Sequence, residues 1–96
     1  MTLPPDIHEK IKKMYSPSDQ AEVESFLISL WSIPLNVGPA QLARAILCLS
    51  AGDMLEIRRI KESGFYGDPR DLIVRASAKA DNTGESKYFT EPFQPE

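Results

Sequence analysis

The sequence predicts an all-α protein, a compact bundle of four to five short helices with a flexible C-terminal tail, and three observations carry that expectation. Residues 16–19, 53–56 and 68–71 each read as a helix start, with Ser16, Asp53 or Asp68 as the capping residue and an acid three positions on. Apolar residues recur at three- and four-residue spacing between these signals. Prolines and glycines stand at the joints and not inside the periodic stretches.

The first helix is expected over residues 6–15, with Ile7, Ile11 and Met14 on one narrow stripe. Asp6 and Glu9 come early and Lys10, Lys12 and Lys13 late, the order a helix dipole favours, so the lysines read as a solvated face and His8 as an edge residue. Ser16 caps a second helix with Pro17 at its first position, and Asp19 is placed to return a bond to the cap. Val23, Phe26, Leu27, Leu30 and Trp31 make its apolar face, and Pro34 stops it near Ile33. After a short connection, Pro39 opens a third helix to about Ser50, capped by Gly38. Leu42, Ala43, Ala45, Ile46, Leu47 and Leu49 cover more than one stripe there, which predicts a central, enclosed helix with Gln41 and Arg44 as its main polar positions.

Gly52 suits the left-handed residue that closes that helix, and Asp53 with Glu56 starts the fourth, in which Met54, Ile57 and Ile60 share a face. Gly64 ends it, and Phe65, Tyr66 and Gly67 form a turn. Asp68, Pro69 and Asp71 start the fifth, with Leu72, Ile73, Ala76 and Ala80 inward and Val74 outward. The expected core comes from the second, third and fifth helices. Residues 1–80 are read as the helical domain and residues 81–96 as a flexible acidic and aromatic tail, where Tyr88, Phe89 and Phe93 stand beside acids in the manner of a docking peptide.

Composition narrows the function classes. A chain of 96 residues holds one core. Its 42% hydrophobic content has no stretch near the roughly 20 apolar residues that cross a bilayer, and residues 1–6 lack a secretory pattern, so no membrane role and a cytoplasmic location are expected. Cys48 stands alone within an apolar run and reads as a small buried side chain. The net charge of -3 lies entirely in residues 81–96, leaving the body neutral.

Chemistry-bearing patterns are sparse. His8 and Cys48 cannot make a Cys/His zinc site, and the glycines at 38, 52, 64, 67 and 84 form no phosphate-binding loop. Acids 6, 19, 53, 56, 68 and 71 sit where helix termini want them, which explains them without catalysis. No cofactor and no enzymatic activity are expected. The tight corner at residues 50–53, followed by Arg58, Arg59 and Lys61, superficially resembles a helix-turn-helix, but residues 44–80 carry seven basic against five acidic side chains, a thin footprint for nucleic acid. The expectation is therefore a non-enzymatic domain for an unidentified protein partner or a homo-oligomer, with Arg58, Arg59, Val74, Tyr88, Phe89 and Phe93 as candidate contacts. A nucleic-acid-binding helix-turn-helix-like protein is the alternative.

The run Ala45, Ile46, Leu47, Cys48, Leu49, Ser50, Ala51, Gly52, Asp53, followed by Asp68, Pro69, Arg70, Asp71, Leu72, Ile73, resembles a pattern in small uncharacterised bacterial all-helical proteins. The resemblance covers about residues 17–80 and implies a bacterial origin, with no activity or site to carry over. Arg70 and Asp71 fit either a bond between helices or helix capping.

Overall fold

A computed structural model describes residues 3–34, 37–64, 68–83 and 89. Among the described residues five α-helices follow one another: α1 (Pro5–Met14), α2 (Pro17–Ser29) running on into a 3-10 turn (Leu30–Ser32), α3 (Pro39–Ser50), α4 (Met54–Glu62) and α5 (Pro69–Thr83). The described residues include no strand. Their Cα radius of gyration is 12.1 Å, close to the roughly 13 Å of a compact domain of about 100 residues. None of the helices is long and apolar enough to cross a membrane.

Four of the five helices begin on proline, whose fixed φ suits the first helical position and whose missing N–H would have had no partner there. Asp53 and Asp68 act as the sequence leads one to expect, each accepting a backbone N–H at 2.9 Å, from Leu55 and Arg70 respectively. Ser16 does not. Its hydroxyl makes no capping bond and instead donates to the Asp19 carboxylate at 3.1 Å. An ionised carboxylate is the stronger acceptor, so the two side chains satisfy each other and Pro17 carries the helix start.

The corner between α3 and α4 is tighter than one glycine would make it. Ala51 already adopts the left-handed conformation (φ 46°, ψ 42°), and Gly52 follows at φ 88°. A Cβ on Gly52 would lie 2.9 Å from the Met14 carbonyl oxygen, so the end of α1 presses directly on the corner. Tyr15 completes the junction. Expected as the last residue of α1, it is extended (φ -120°, ψ 147°) and turns its ring inward. Its hydroxyl donates to Ser50 Oγ, which passes its own proton to the Leu47 carbonyl at 3.3 Å.

α3 is the central helix. Residues 42–48 are buried without interruption, and α3 packs most extensively on α5, then on α4 and α1. The core differs from expectation in what surrounds it. α1 contributes Ile7 and Ile11, both fully buried, and α4 contributes Ile57 and Ile60, while α2 packs chiefly on α1. A stripe of two isoleucines on a charged helix looks marginal in sequence, but one turn's spacing is enough when the helix lies flat on its neighbour. α5 also outruns the expected boundary at Ala80 by three residues. Nothing before Gly84 interrupts it, since Asp81, Asn82 and Thr83 are only modest helix formers and not breakers.

The junction of α1 with the corner between α3 and α4 makes three predictions. Gly52→Ala should lower stability by about 1–2 kcal/mol, because the new Cβ meets both the left-handed backbone and the Met14 carbonyl. Ala51→Gly should leave stability equal or raise it by up to ~1 kcal/mol, both read from urea denaturation midpoints. Burial raises the Tyr15 phenol above its ordinary value near 10, and the hydrogen bonds to Ser50 and the Gly52 backbone oppose that rise only in part. The unfolded phenol then ionises first as pH rises. Its contribution is complete below about pH 10 and is lost as pH climbs through the higher folded value. Wild-type stability should accordingly fall more steeply above about pH 10 than that of Tyr15→Phe; parallel curves would contradict the assignment.

Candidate functional site

The most unusual polar feature lies on the central helix. Arg44 is only 8% exposed in the middle of the apolar face of α3. A guanidinium cannot lose its charge, so burial there requires a counter-charge with good geometry. Asp6, in the first turn of α1, supplies it: Arg44 Nε donates to Asp6 Oδ2 at 2.9 Å and Nη2 donates to Oδ1 at 3.3 Å, a two-pronged pair. The remaining terminal nitrogen, Nη1, donates to the Phe89 carbonyl at 3.4 Å. Sequence alone places Asp6 at the dipole of α1 and Arg44 among the few polar positions of α3. The structure joins them with Phe89 into one buried node linking α1, α3 and the C-terminal segment. The available signal was the arginine itself, since a charge inside an apolar helical run demands a partner.

The candidate contact residues scatter around this node. Phe89 is 1% exposed and belongs to the chain's own core, with its backbone at φ 58°. Val74 faces outward on α5 at 62% exposure. Tyr88 and Phe93 lie outside the described residues. Arg58 and Arg59 are exposed on α4, and both stand near carboxylates, Arg58 Nε at 3.5 Å from Glu22 Oε2 and Arg59 Nη1 at 3.7 Å from Glu56 Oε2. Lys61 holds its ammonium 5.9 Å from the centre of the Phe26 ring. Such exposed pairs are each worth about 0–1 kcal/mol, yet together they temper the positive field of α4.

Two exposed aliphatics escaped the sequence reading. Leu55, also 62% exposed, stands beside Met54 but one residue off the stripe of Ile57 and Ile60, and Ile33 projects after the 3-10 turn. A leucine near a helix start blends into its apolar neighbours unless the phase of the buried face is known.

Several other polar groups among the described residues have structural partners. His8 Nδ1 is 2.9 Å from Glu24 Oε1, tying α1 to α2 at the surface. Cys48 is buried, as expected, with Sγ 3.7 Å from the Ala76 carbonyl. Lys79 donates from Nζ to the carbonyls of Cys48 and Leu49 at 2.8 and 3.3 Å, meeting acceptors that the end of α3 leaves open. Arg70 and Asp71 are both exposed at the start of α5. Among the described residues, no three His, Cys, Asp or Glu side chains converge as a metal site would require. Ser77 Oγ is buried on α5 without a hydrogen-bond partner among the described residues.

Breaking the node from one side should be costly. Asp6→Asn leaves the guanidinium without its counter-charge and should destabilise the protein by about 3–5 kcal/mol in urea denaturation. Asp6→Leu combined with Arg44→Met should recover most of that loss, and a double variant as unstable as Asp6→Asn would contradict the pairing. No protein-family model, no curated protein and no solved structure matches the chain.

Proposed function

We propose that this chain is a non-enzymatic helical interaction domain that binds a protein, a second copy of itself included, through aliphatic side chains outside its core. The observation that carries the reading is the exposure of Leu55 on α4, matched by Val74 on α5, each 62% accessible and well above Ile33 at 40% among the exposed large hydrophobics of the described residues. Burying such a side chain against a partner is worth about 1.5–3 kcal/mol, and neither helix uses it internally. Arg58 and Arg59 could flank that contact as a polar rim. Their pairing with Glu22 and Glu56 favours a protein surface over a polyanion, because a phosphate backbone would have to displace both carboxylates.

The test combines light scattering of the full chain across a wide concentration range with capture of native proteins on the immobilised chain. Association of either kind should weaken by about tenfold or more in a Leu55→Ser, Val74→Ser double variant. A wild-type chain that is strictly monomeric and captures nothing would overturn the reading, as would association that ignores both substitutions. Salt-sensitive retention on a DNA column, lost with Arg58→Ala and Arg59→Ala, would favour nucleic acid instead.

A further inference from the structure

We propose that the partner is a second copy of this chain, and that the outer stripe of α4 in one copy lies antiparallel on the outer stripe of α5 in the other. The inference rests on the interaction reading above and gives it an occupant and an orientation.

Two stripes carry the argument. On α4, Leu55, Arg59 and Glu62 follow at four- and three-residue spacing, all exposed, on the side away from the buried Ile57 and Ile60. On α5, Arg70 and Asp71 stand one turn before Val74, all three exposed, on the side away from the buried Leu72, Ile73 and Ala76. Each stripe thus holds one large aliphatic, one cation and one carboxylate, with the aliphatic leading on α4 and trailing on α5. An antiparallel alignment lays one order on the other. With Leu55 on Val74, Arg59 comes over Asp71 and Glu62 comes beside Arg70. Aliphatic meets aliphatic and both charges meet their opposites, a complementarity that selects one register and one direction.

Other pairings of these helices leave the charges unmatched. With α4 parallel to α5 and Leu55 still on Val74, Arg59 stands opposite Ala78. When α5 lies antiparallel on its own copy, Val74 on Val74, Arg70 stands opposite Ala78; two copies of α4 overlapping along their length set arginine against arginine. Within the chain, Arg59 Nη1 lies 3.7 Å from Glu56 Oε2, an exposed pair that holds its arginine lightly. Arg58 leans to the flank, 3.5 Å from Glu22 of α2, and leaves the stripe to Arg59. Because α4 of one copy meets α5 of the other, the contact joins unlike patches and is heterologous.

The experiment reverses charges at exposed positions in the full chain, with helix content checked for every variant. Arg59→Glu confronts Asp71 with a second acid, and Asp71→Arg confronts Arg59 with a second base. By light scattering at low salt, each variant alone should self-associate at least about tenfold more weakly than wild type. An equimolar mixture of the two should associate as wild type does, because every contact between unlike variants joins opposite charges at positions 59 and 71. A mixture no better than its components would overturn the pairing. Glu62→Arg mixed with Arg70→Glu applies the same criterion to the second pair if one of the first variants fails to fold. Association that is lost in the Leu55→Ser, Val74→Ser variant but ignores these reversals would overturn the inference and leave the interaction reading intact. So would a monomeric wild type that captures a different protein through those two side chains. A wild type that is monomeric and captures nothing would overturn both.

Discussion

An arginine set into the apolar face of the most enclosed helix obliges the rest of the chain to come to it. Arg44 cannot shed its charge and is almost wholly buried, so α1 must lie where Asp6 can meet the guanidinium on two atoms. That single requirement fixes the position of the first turn of α1, and Ile7 and Ile11 follow it into the core. The far end of α1 is fixed by different means, through the Tyr15 bond to Ser50 and the Met14 carbonyl against Gly52. A helix with few apolar residues is thereby held at both ends by polar contacts and in the middle by two isoleucines.

The charges divide into two populations with different work. Inside, one carboxylate and one guanidinium define how helices are placed, at a desolvation cost that makes them a device of specificity as much as of stability. Outside, the pairs His8 with Glu24, Arg58 with Glu22 and Arg59 with Glu56 contribute little individually and leave the surface near neutrality. Lys79 falls between the two. Its ammonium meets the carbonyls where α3 stops, joining the two helices that share the largest contact.

The helices were legible because their signals are local. Prolines at first helical positions, Asp53 and Asp68 as caps, and the apolar breadth of α3 each act within a turn or two of chain, so sequence alone locates them. What sequence missed is consistently long-range. Asp6 and Arg44 are separated by 38 positions and Arg44 and Phe89 by 45, and no local pattern marks either pairing. The share of α1 in the core escaped for the same reason. Ser16 failed differently: its motif is correct for a cap, but a nearby carboxylate competes for the hydroxyl, and motif matching does not weigh two acceptors. At the surface, Val74 was readable from helical phase, whereas Leu55 required knowing which face of α4 is buried.

The separation of Arg44 from its carbonyl partner also sets an order in time. A ribosome adding roughly 5–20 residues per second needs about 2–9 s to pass from position 44 to position 89. Asp6 precedes the guanidinium in synthesis, whereas the Phe89 ring and carbonyl are made only at the end of that interval. Until then the chain has no ring of its own for the seat of Phe89, and Arg44 Nη1 lacks its acceptor. Of the three groups in this buried node, the acceptor for Arg44 Nη1 is therefore the last to be made.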